Sequence, residues 1–168
     1  MNDETLFHPG RRLFLQSSAI ALLAGIAGCT TFSDIDTSGG TGEDRSSGAL
    51  AMVNDLRTKH GRTALVIDPA ASRAAQQQAR RMAKAGKMQH LIGLNDDFGS
   101  RMKANGVALP ASENIAVGQD ATAEAVTAWI NSPRHLTNML GNYRGIGVAV
   151  AQNPASGNRP YWAMVLSS

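Results

Sequence analysis

The amino-acid sequence predicts a single domain of the α+β class, in which helices cover a small sheet. One indication is Asp68-Pro69, an N-cap residue followed by a proline at the first helical position, which begins a helix that ends at Gly86. Another is Tyr-Trp-Ala-Met-Val-Leu at residues 161–166, which is apolar on both faces and therefore typical of a central strand covered by helices. Because the chain has only one cysteine, it cannot form an internal disulfide, and the core alone must stabilise the fold.

The first 28 residues have the features of an export signal. Arg11 and Arg12 precede an apolar stretch, residues 13–28, that is shorter than the roughly 20 residues needed by a spanning helix. Residues 11–16 resemble a twin-arginine signal, and Ile26-Ala27-Gly28-Cys29 resembles a lipobox. The resemblance implies cleavage before Cys29 and acylation of its sulfur. The alternatives are an uncleaved anchor, or a general-route signal with an incidental arginine pair.

The lipidated Cys29 and a flexible tether are predicted over residues 29–46, because residues 30–45 are polar, rich in glycine and have little to bury. A tether of this length spans about 20–24 Å on average, which keeps a domain close to the membrane. The folded domain is predicted over residues 47–168, a length that suits one hydrophobic core.

The charge of the chain argues against a nucleic-acid partner. The net charge is +3, and the basic residues are scattered without interleaved aromatic residues. We therefore expect an ordinary solvated surface. Separately, we expect a monomer whose membrane partner is reached through the lipid anchor.

In the first half of the domain the sequence predicts three helices and one short strand. The first helix begins near Ser46 or Ser47, a possible N-cap, and ends at His60-Gly61. A short extended piece follows at residues 65–67. The helix after Asp68 carries a face of small residues, and residues 98–104 form a shorter helix.

In the second half the sequence predicts two helices among three strands. Residues 114–118 are a strand, residues 121–131 are a helix, and Ser132-Pro133 begins another helix. Two strands close the chain at residues 145–150 and 161–166. Trp129 on the longer helix and Trp162 on the last strand are expected to be core residues.

The order of motifs over residues 47–168 resembles the CAP superfamily, the group of cysteine-rich secretory proteins, antigens and pathogenesis-related proteins. The most specific motifs are Glu113-Asn114-Ile115-Ala116 and the later Trp129-x-x-Ser132-Pro133-x-His135. The resemblance implies a three-layer α-β-α sandwich with a small, mainly antiparallel central sheet. Eukaryotic relatives carry disulfides, so this chain resembles the disulfide-free bacterial form. The other matching motifs are Lys87-Met88-Gln89-His90, Phe98-Gly99-Ser100-Arg101, Gly145-Ile146-Gly147-Val148 and Tyr161-Trp162.

The resemblance also implies a cleft lined by two histidines and two glutamates, which match His90, His135, Glu113 and Glu124. In metal-bound relatives the two histidines hold a divalent cation, often zinc, which is the cofactor implied here. Neutral imidazoles are suitable ligands for zinc, and a nearby carboxylate orients the imidazole tautomer. The two glutamates could instead act as acid and base around a water molecule, or form buried hydrogen-bonded links in the sandwich.

The sequence is compatible with three functions for an exported, membrane-anchored protein that faces the periplasm or the cell surface. The first is a binding module that recognises a lipid, a peptide or another envelope component. The second is a hydrolase, peptidase-like or esterase-like, in which a metal or a glutamate activates water. The third is a structural envelope protein in which the four residues only brace the fold. Because the sequence has no obvious nucleophile or oxyanion-hole motif, binding is favoured over catalysis.

Overall fold

The computed structural model describes residues 39–168, so the predicted signal with Arg11, Arg12 and Cys29 lies outside the described residues. No helix in this described part is long and apolar enough to cross a membrane. Helices and strands are interspersed along the chain, with a 3-10 turn at Pro154–Ser156 before the last strand. The helices are α1 (Ser46–Lys59), α2 (Pro69–Ala85), α3 (Phe98–Asn105), α4 (Thr122–Ile130) and α5 (Pro133–Met139), and the strands are β1 (Thr41–Asp44), β2 (Val66–Ile67), β3 (Ser112–Val117), β4 (Gly145–Gln152) and β5 (Tyr161–Ser167).

The sheet has the strand order β1-β4-β5-β3, and all three of these pairings are antiparallel. The short strand β2 pairs in parallel with the first residues of β4. All seven residues of β5 are buried, which confirms that this strand is central. The predicted mainly antiparallel sheet is therefore confirmed, and β3 forms the edge opposite to β1.

Helices cover both faces of the sheet, as the three-layer prediction requires. The small-residue face of α2 packs on one face, where Gly147 of β4 allows a very close approach. A Cβ atom at Gly147 would lie 2.1 Å from the backbone nitrogen of Ser72 on α2. Helices α1 and α4 cover the other face, where Trp129 and Trp162 are both buried, as the sequence predicted.

The predicted helix ends are largely correct because the capping residues are clear in the sequence. Asp68 caps α2 by accepting a hydrogen bond from the backbone of Ala70, and Gly86 ends the helix in the left-handed conformation. The prediction for α1 needs a correction, because its N-cap position is Arg45. Ser46 lies inside the helix, and its buried hydroxyl bonds to Ser72 and to the backbone nitrogen of Val148.

The predicted tether is also corrected, because its last part is the strand β1. Residues Thr41–Asp44 pair in antiparallel register with residues 149–152 of β4. Three of the four strand residues are exposed. Pairing through the backbone requires no apolar side chain, so the polar composition of this segment concealed the strand. The folded domain therefore begins several residues before residue 47.

Candidate functional site

The structure brings His90 and His135 to a common cleft beside the edge strand β3. His90 lies in the loop between α2 and α3, and His135 lies in the first half of α5. The cleft has a volume of about 600 Å³. We refer to it as the histidine cleft; it is lined by Met88, Gln89, His90, Leu91, Ile115 and His135.

A buried carboxylate fixes the orientation of the His90 ring. The Nδ1 atom of His90 lies 2.9 Å from Oε1 of Glu113, whose side chain is only 2% exposed. Arg101 donates to both carboxylate oxygens of Glu113, over 3.1 and 3.3 Å. A carboxylate paired in this way acts as an acceptor, so the Nδ1 atom carries the proton. When the imidazole is neutral, the Nε2 atom of His90 keeps its lone pair and is available to a ligand.

Side chains from α2 and α3 hold the loop that carries His90. Gln78 donates to the carbonyls of Gln89 and His90, over 2.8 and 3.1 Å. Arg101 donates to the carbonyl of His90 over 3.0 Å, in addition to its bonds with Glu113. The backbone next to the ring is therefore fixed by buried groups, so the imidazole is positioned before any ligand arrives.

Asp96 connects this loop to two buried arginines. Its carboxylate accepts hydrogen bonds from Arg81 at 2.6 Å, from Arg101 at 3.2 Å and from the backbone nitrogen of Ile92. Burial on its own would raise the pKa of Asp96, but the hydrogen bonds from Arg81 and Ile92 and the charges of both arginines lower the pKa below its usual value. Asp96 is therefore a carboxylate that stabilises the loop in its ionised form.

His135 is held on the other side of β3 through its backbone. Asn114, which is fully buried, donates to the carbonyl of His135 over 3.1 Å and accepts a hydrogen bond from Asn138 over 2.8 Å. Burial lowers the pKa of the His135 imidazole, and the neighbouring His90 lowers it further. The ring is therefore neutral at neutral pH, the form in which a histidine binds a metal ion or accepts a proton.

The structure does not bring Glu124 to the histidine cleft, which corrects its expected position. Glu124 is exposed in the first turn of α4, and its Oε2 atom accepts a hydrogen bond from the backbone nitrogen of Asp120 over 3.0 Å. An acidic residue in this position stabilises the positive end of a helix. The alternative of a buried bracing link does not apply to Glu124, whereas Glu113 does form such a link.

The donors in the histidine cleft fit a divalent cation only in part. His90 and His135 present imidazole nitrogens, but both oxygens of Glu113 are already engaged by Arg101 and His90. Across residues 39–168 there is no group of three or more histidine, cysteine, aspartate or glutamate side chains that could hold a metal ion. Water or a ligand would have to complete the coordination. Protein zinc sites usually have three or four protein ligands, so a two-histidine site is expected to bind more weakly.

Comparison with known proteins identifies the family and the fold. Residues 50–166 match the cysteine-rich secretory protein family, CAP. The chain is 33% identical over 106 residues to the uncharacterized protein YkwD of Bacillus subtilis, a match that covers 62% of this chain and 41% of that protein. The chain thus spans about two fifths of the length of this relative.

Two solved structures share the fold. An outer surface protein of Borrelia burgdorferi has a TM-score of 0.64 and 20% identity, over 77% of this chain and 98% of that one. An extracellular SCP-domain protein of Bacillus anthracis has a TM-score of 0.62 and 21% identity, over 72% of this chain and 39% of that one. Since the family match covers most of the chain and the fold agrees, the chain belongs to the CAP family of cysteine-rich secretory proteins.

Proposed function

We propose that this protein is exported, is anchored to a membrane through acylated Cys29, and binds a cell-envelope ligand in the histidine cleft. One observation carries the proposal: the cleft combines two imidazoles, from His90 and His135, with an apolar wall. This wall is formed by Met88, Leu91 and Ile115. The similarity to an outer surface protein and to an extracellular protein supports an exported location. The lipobox-like sequence before Cys29 supports the anchor.

The apolar wall suits a ligand with both apolar and polar parts, such as a lipid or a peptide. Met88 and Leu91 are 47% and 52% exposed, although each has a large apolar side chain. A ligand that covers them removes apolar surface from water, which contributes about 25 cal/mol for each Å². The two imidazoles provide the polar contacts that orient such a ligand.

A divalent cation is proposed as a second occupant, held by the imidazoles of His90 and His135. When bound, the cation supplies a positive charge that attracts an anionic or carbonyl group of the ligand. The Nδ1 atom of His90 is directed to the carboxylate of Glu113, so the Nε2 atom would be the donor to the ion. The lowered pKa of His135 keeps its ring neutral and able to bind the ion at neutral pH.

The experiment is calorimetry of the protein with and without zinc. A ligand that binds only the native state raises the melting temperature by mass action, so zinc should stabilise the wild type. His90→Ala and His135→Ala should each abolish this zinc response. His60→Ala is the matched control, because His60 bonds to a carbonyl of its own helix, at the end of α1. A response that survives in the double His90/His135 variant would place the ion elsewhere.

A hydrolase is the second candidate, and the His90–Glu113 contact favours it. A carboxylate that orients an imidazole is the arrangement used by general bases, and the free Nε2 atom could take a proton from water. Across residues 39–168, no serine or threonine hydroxyl hydrogen-bonds either histidine ring, so water would be the nucleophile. Hydrolysis of peptide or ester substrates that is lost in His90→Gln would favour this candidate over binding.

A further inference from the structure

We propose that the solvent-facing side of α2 binds the anionic headgroups of the membrane to which the chain is anchored. This inference rests on the proposed anchoring through acylated Cys29 and adds a second contact between the domain and that membrane. Three features carry it: the cations on the outer side of α2, their freedom from acidic partners within residues 39–168, and the position of β1 beside them.

The outer side of α2 carries three cations. Arg73, Arg80 and Lys84 are separated by seven and four residues, a spacing that places them on one side of a helix. Arg73 and Arg80 are exposed, and Lys84 is half-buried. The opposite side of α2 packs on the sheet through small residues. The helix therefore presents a positive surface to solvent, which we call the α2 basic face and define by Arg73, Arg80 and Lys84.

No acidic residue of α2 or of the loop after it opposes these charges. Between Asp68 and Asp96 the sequence contains no aspartate or glutamate. Across residues 39–168, the side chains of the α2 basic face form no ion pair. Their one hydrogen bond in this range runs from Arg73 to the carbonyl of Asn105, over 3.1 Å. The positive charges are therefore available to an external anion.

The acidic side chains nearest to α2 in the fold are engaged by other groups. On β1, Glu43 pairs with Arg45, and Asp44 accepts a hydrogen bond from the backbone nitrogen of Ser46 over 2.8 Å. Asp96 is held between buried arginines. The other elements with extensive contacts to α2, which are α3, β4, β5 and the 3-10 turn, contain no acidic residue within their bounds.

The strand β1 brings the chain from the anchor to the α2 basic face. A Cβ atom at Gly42 would overlap the guanidinium group of Arg80, so Arg80 lies directly over β1. Residues 30–40, which join Cys29 to β1, reach at most about 40 Å when fully extended. The attraction between cations and anionic headgroups acts only over about a Debye length, roughly 8 Å. The anchor would supply the proximity that this short-range attraction needs.

A bilayer surface matches the shape of the α2 basic face. The three cations extend over about 16 Å along the helix, since each residue adds 1.5 Å. One small anion cannot contact all three side chains at that separation, whereas several neighbouring headgroups can. Docking through this face would hold the anchored domain in one orientation on the membrane.

The first experiment measures binding of the full Cys29→Ser chain to vesicles, so that an acyl anchor does not dominate. The vesicles contain phosphatidylcholine alone or phosphatidylcholine mixed with anionic phosphatidylglycerol. One variant changes all three residues of the α2 basic face to glutamine. A matched control removes the same charge from three exposed arginines elsewhere, through Arg62→Gln, Arg134→Gln and Arg144→Gln.

We expect the charges of the α2 basic face to account for binding to the anionic vesicles. The α2 variant should lose at least about tenfold in affinity for vesicles with phosphatidylglycerol, and the control less than about threefold. Any attachment through the apolar residues 13–28 is common to all variants and to both kinds of vesicle. Equal loss in the two variants, or equal affinity of the Cys29→Ser chain for both kinds of vesicle, would overturn the inference.

A second measurement identifies the side of the domain that faces the lipid. The Cys29→Ser chain has no cysteine, so one introduced thiol can carry a fluorophore. Gln76→Cys places the fluorophore beside Arg73 and Arg80, and Thr58→Cys places it at an exposed position of α1, across the sheet from α2. On vesicles with phosphatidylglycerol, a quencher attached to the lipid headgroups should quench position 76 more strongly than position 58. Equal or stronger quenching at position 58 would contradict docking through α2.

The outcome is separable from the proposed anchoring. If the wild type is acylated at Cys29 but the α2 variant and its control bind the anionic vesicles equally, the anchor stands and the docking surface fails. If the α2 variant alone loses binding and position 76 is quenched, while Cys29 is not acylated, the docking surface is supported and the anchor fails.

Discussion

Asp96 carries a buried negative charge that is held between two arginines. Its side chain is 4% exposed and lies between Arg81 and Arg101. Asp96→Asn keeps the shape of the side chain but removes the negative charge that compensates two buried guanidinium groups. We therefore expect a loss of roughly 3–5 kcal/mol in the free energy of unfolding at neutral pH. Chemical denaturation measures this loss. Asp55→Asn is the control, because the ion pair of Asp55 with Lys59 is exposed and should be worth less than about 1 kcal/mol.

The effect of Asp96 should depend on pH in a defined direction. The pKa of Asp96 is lowered in the folded state, so the unfolded state binds the proton more tightly. The stabilisation is complete above the unfolded pKa of about 3.9 and is lost as the pH falls towards the folded pKa. The difference between wild type and Asp96→Asn should therefore shrink below about pH 4. A difference that stays constant from neutral pH to below that value would contradict the role of the ionised carboxylate.

For single residues, the sequence predicts which residue types belong to a site better than it predicts their contacts and positions. The motifs predict a shared site for His90, His135 and Glu113, which are far apart in the chain; in the structure the two histidines line one cleft and Glu113 hydrogen-bonds His90. Arg101 stood within a recognised motif, but its partner Glu113 became evident only from the fold. Glu124 had a suitable residue type and was placed in the cleft incorrectly, since its helix carries it to an exposed position.

At the scale of elements, the two tryptophans differ in their polar contacts although both are buried. Trp162 on β5 donates its Nε1–H to the carbonyl of Gln119, over 2.8 Å. The Nε1 atom of Trp129 on α4 has no hydrogen-bond partner among the described residues. Truncation of either residue to alanine should cost roughly 3–5 kcal/mol in the free energy of unfolding. Trp162→Phe should cost about 1–3 kcal/mol more than Trp129→Phe, because only the former leaves a carbonyl without its donor.

Thermal or chemical unfolding of the four tryptophan variants separates packing from hydrogen bonding. The alanine variants test whether α4 and β5 share the core, as the structure shows. The phenylalanine variants isolate the polar contact. If Trp129→Phe were more destabilising than Trp162→Phe, the Nε1–H of Trp129 would have to donate a hydrogen bond that the described residues do not show.

The elements that the sequence predicted well are those with local signals. The helix α2 has a capping aspartate, a proline at its first position and a glycine after its end, and its predicted bounds are correct. The strand β5 is apolar on both faces and is central. The strand β1 has none of these signals. It is held in the sheet by backbone pairing with β4. Long-range pairing of polar residues was therefore the part of the fold that local patterns could not predict.

At the scale of the whole molecule, the strand β1 changes the relation between the predicted anchor and the domain. Because β1 begins at Thr41, fewer residues separate Cys29 from the folded domain than the tether prediction assumed. The segment over residues 30–40 can reach at most about 40 Å when fully extended. The domain, and with it the histidine cleft, is then confined close to the membrane surface if Cys29 is acylated. Such confinement would raise the local concentration of any membrane-bound ligand that the cleft binds.

Substitution of Cys29 tests this anchor directly. Cys29→Ser should lose labelling by an alkyne fatty acid and should leave the membrane fraction, because the acylated sulfur is the proposed attachment. Cys29 is the only cysteine of the chain, so no other thiol can take its place. Arg11→Lys together with Arg12→Lys provides a separate test of the export route, since it preserves the charge but removes the arginine pair. Equal labelling of wild type and Cys29→Ser would show that Cys29 is not acylated, and membrane retention of the unlabelled variant would indicate an uncleaved signal acting as the anchor.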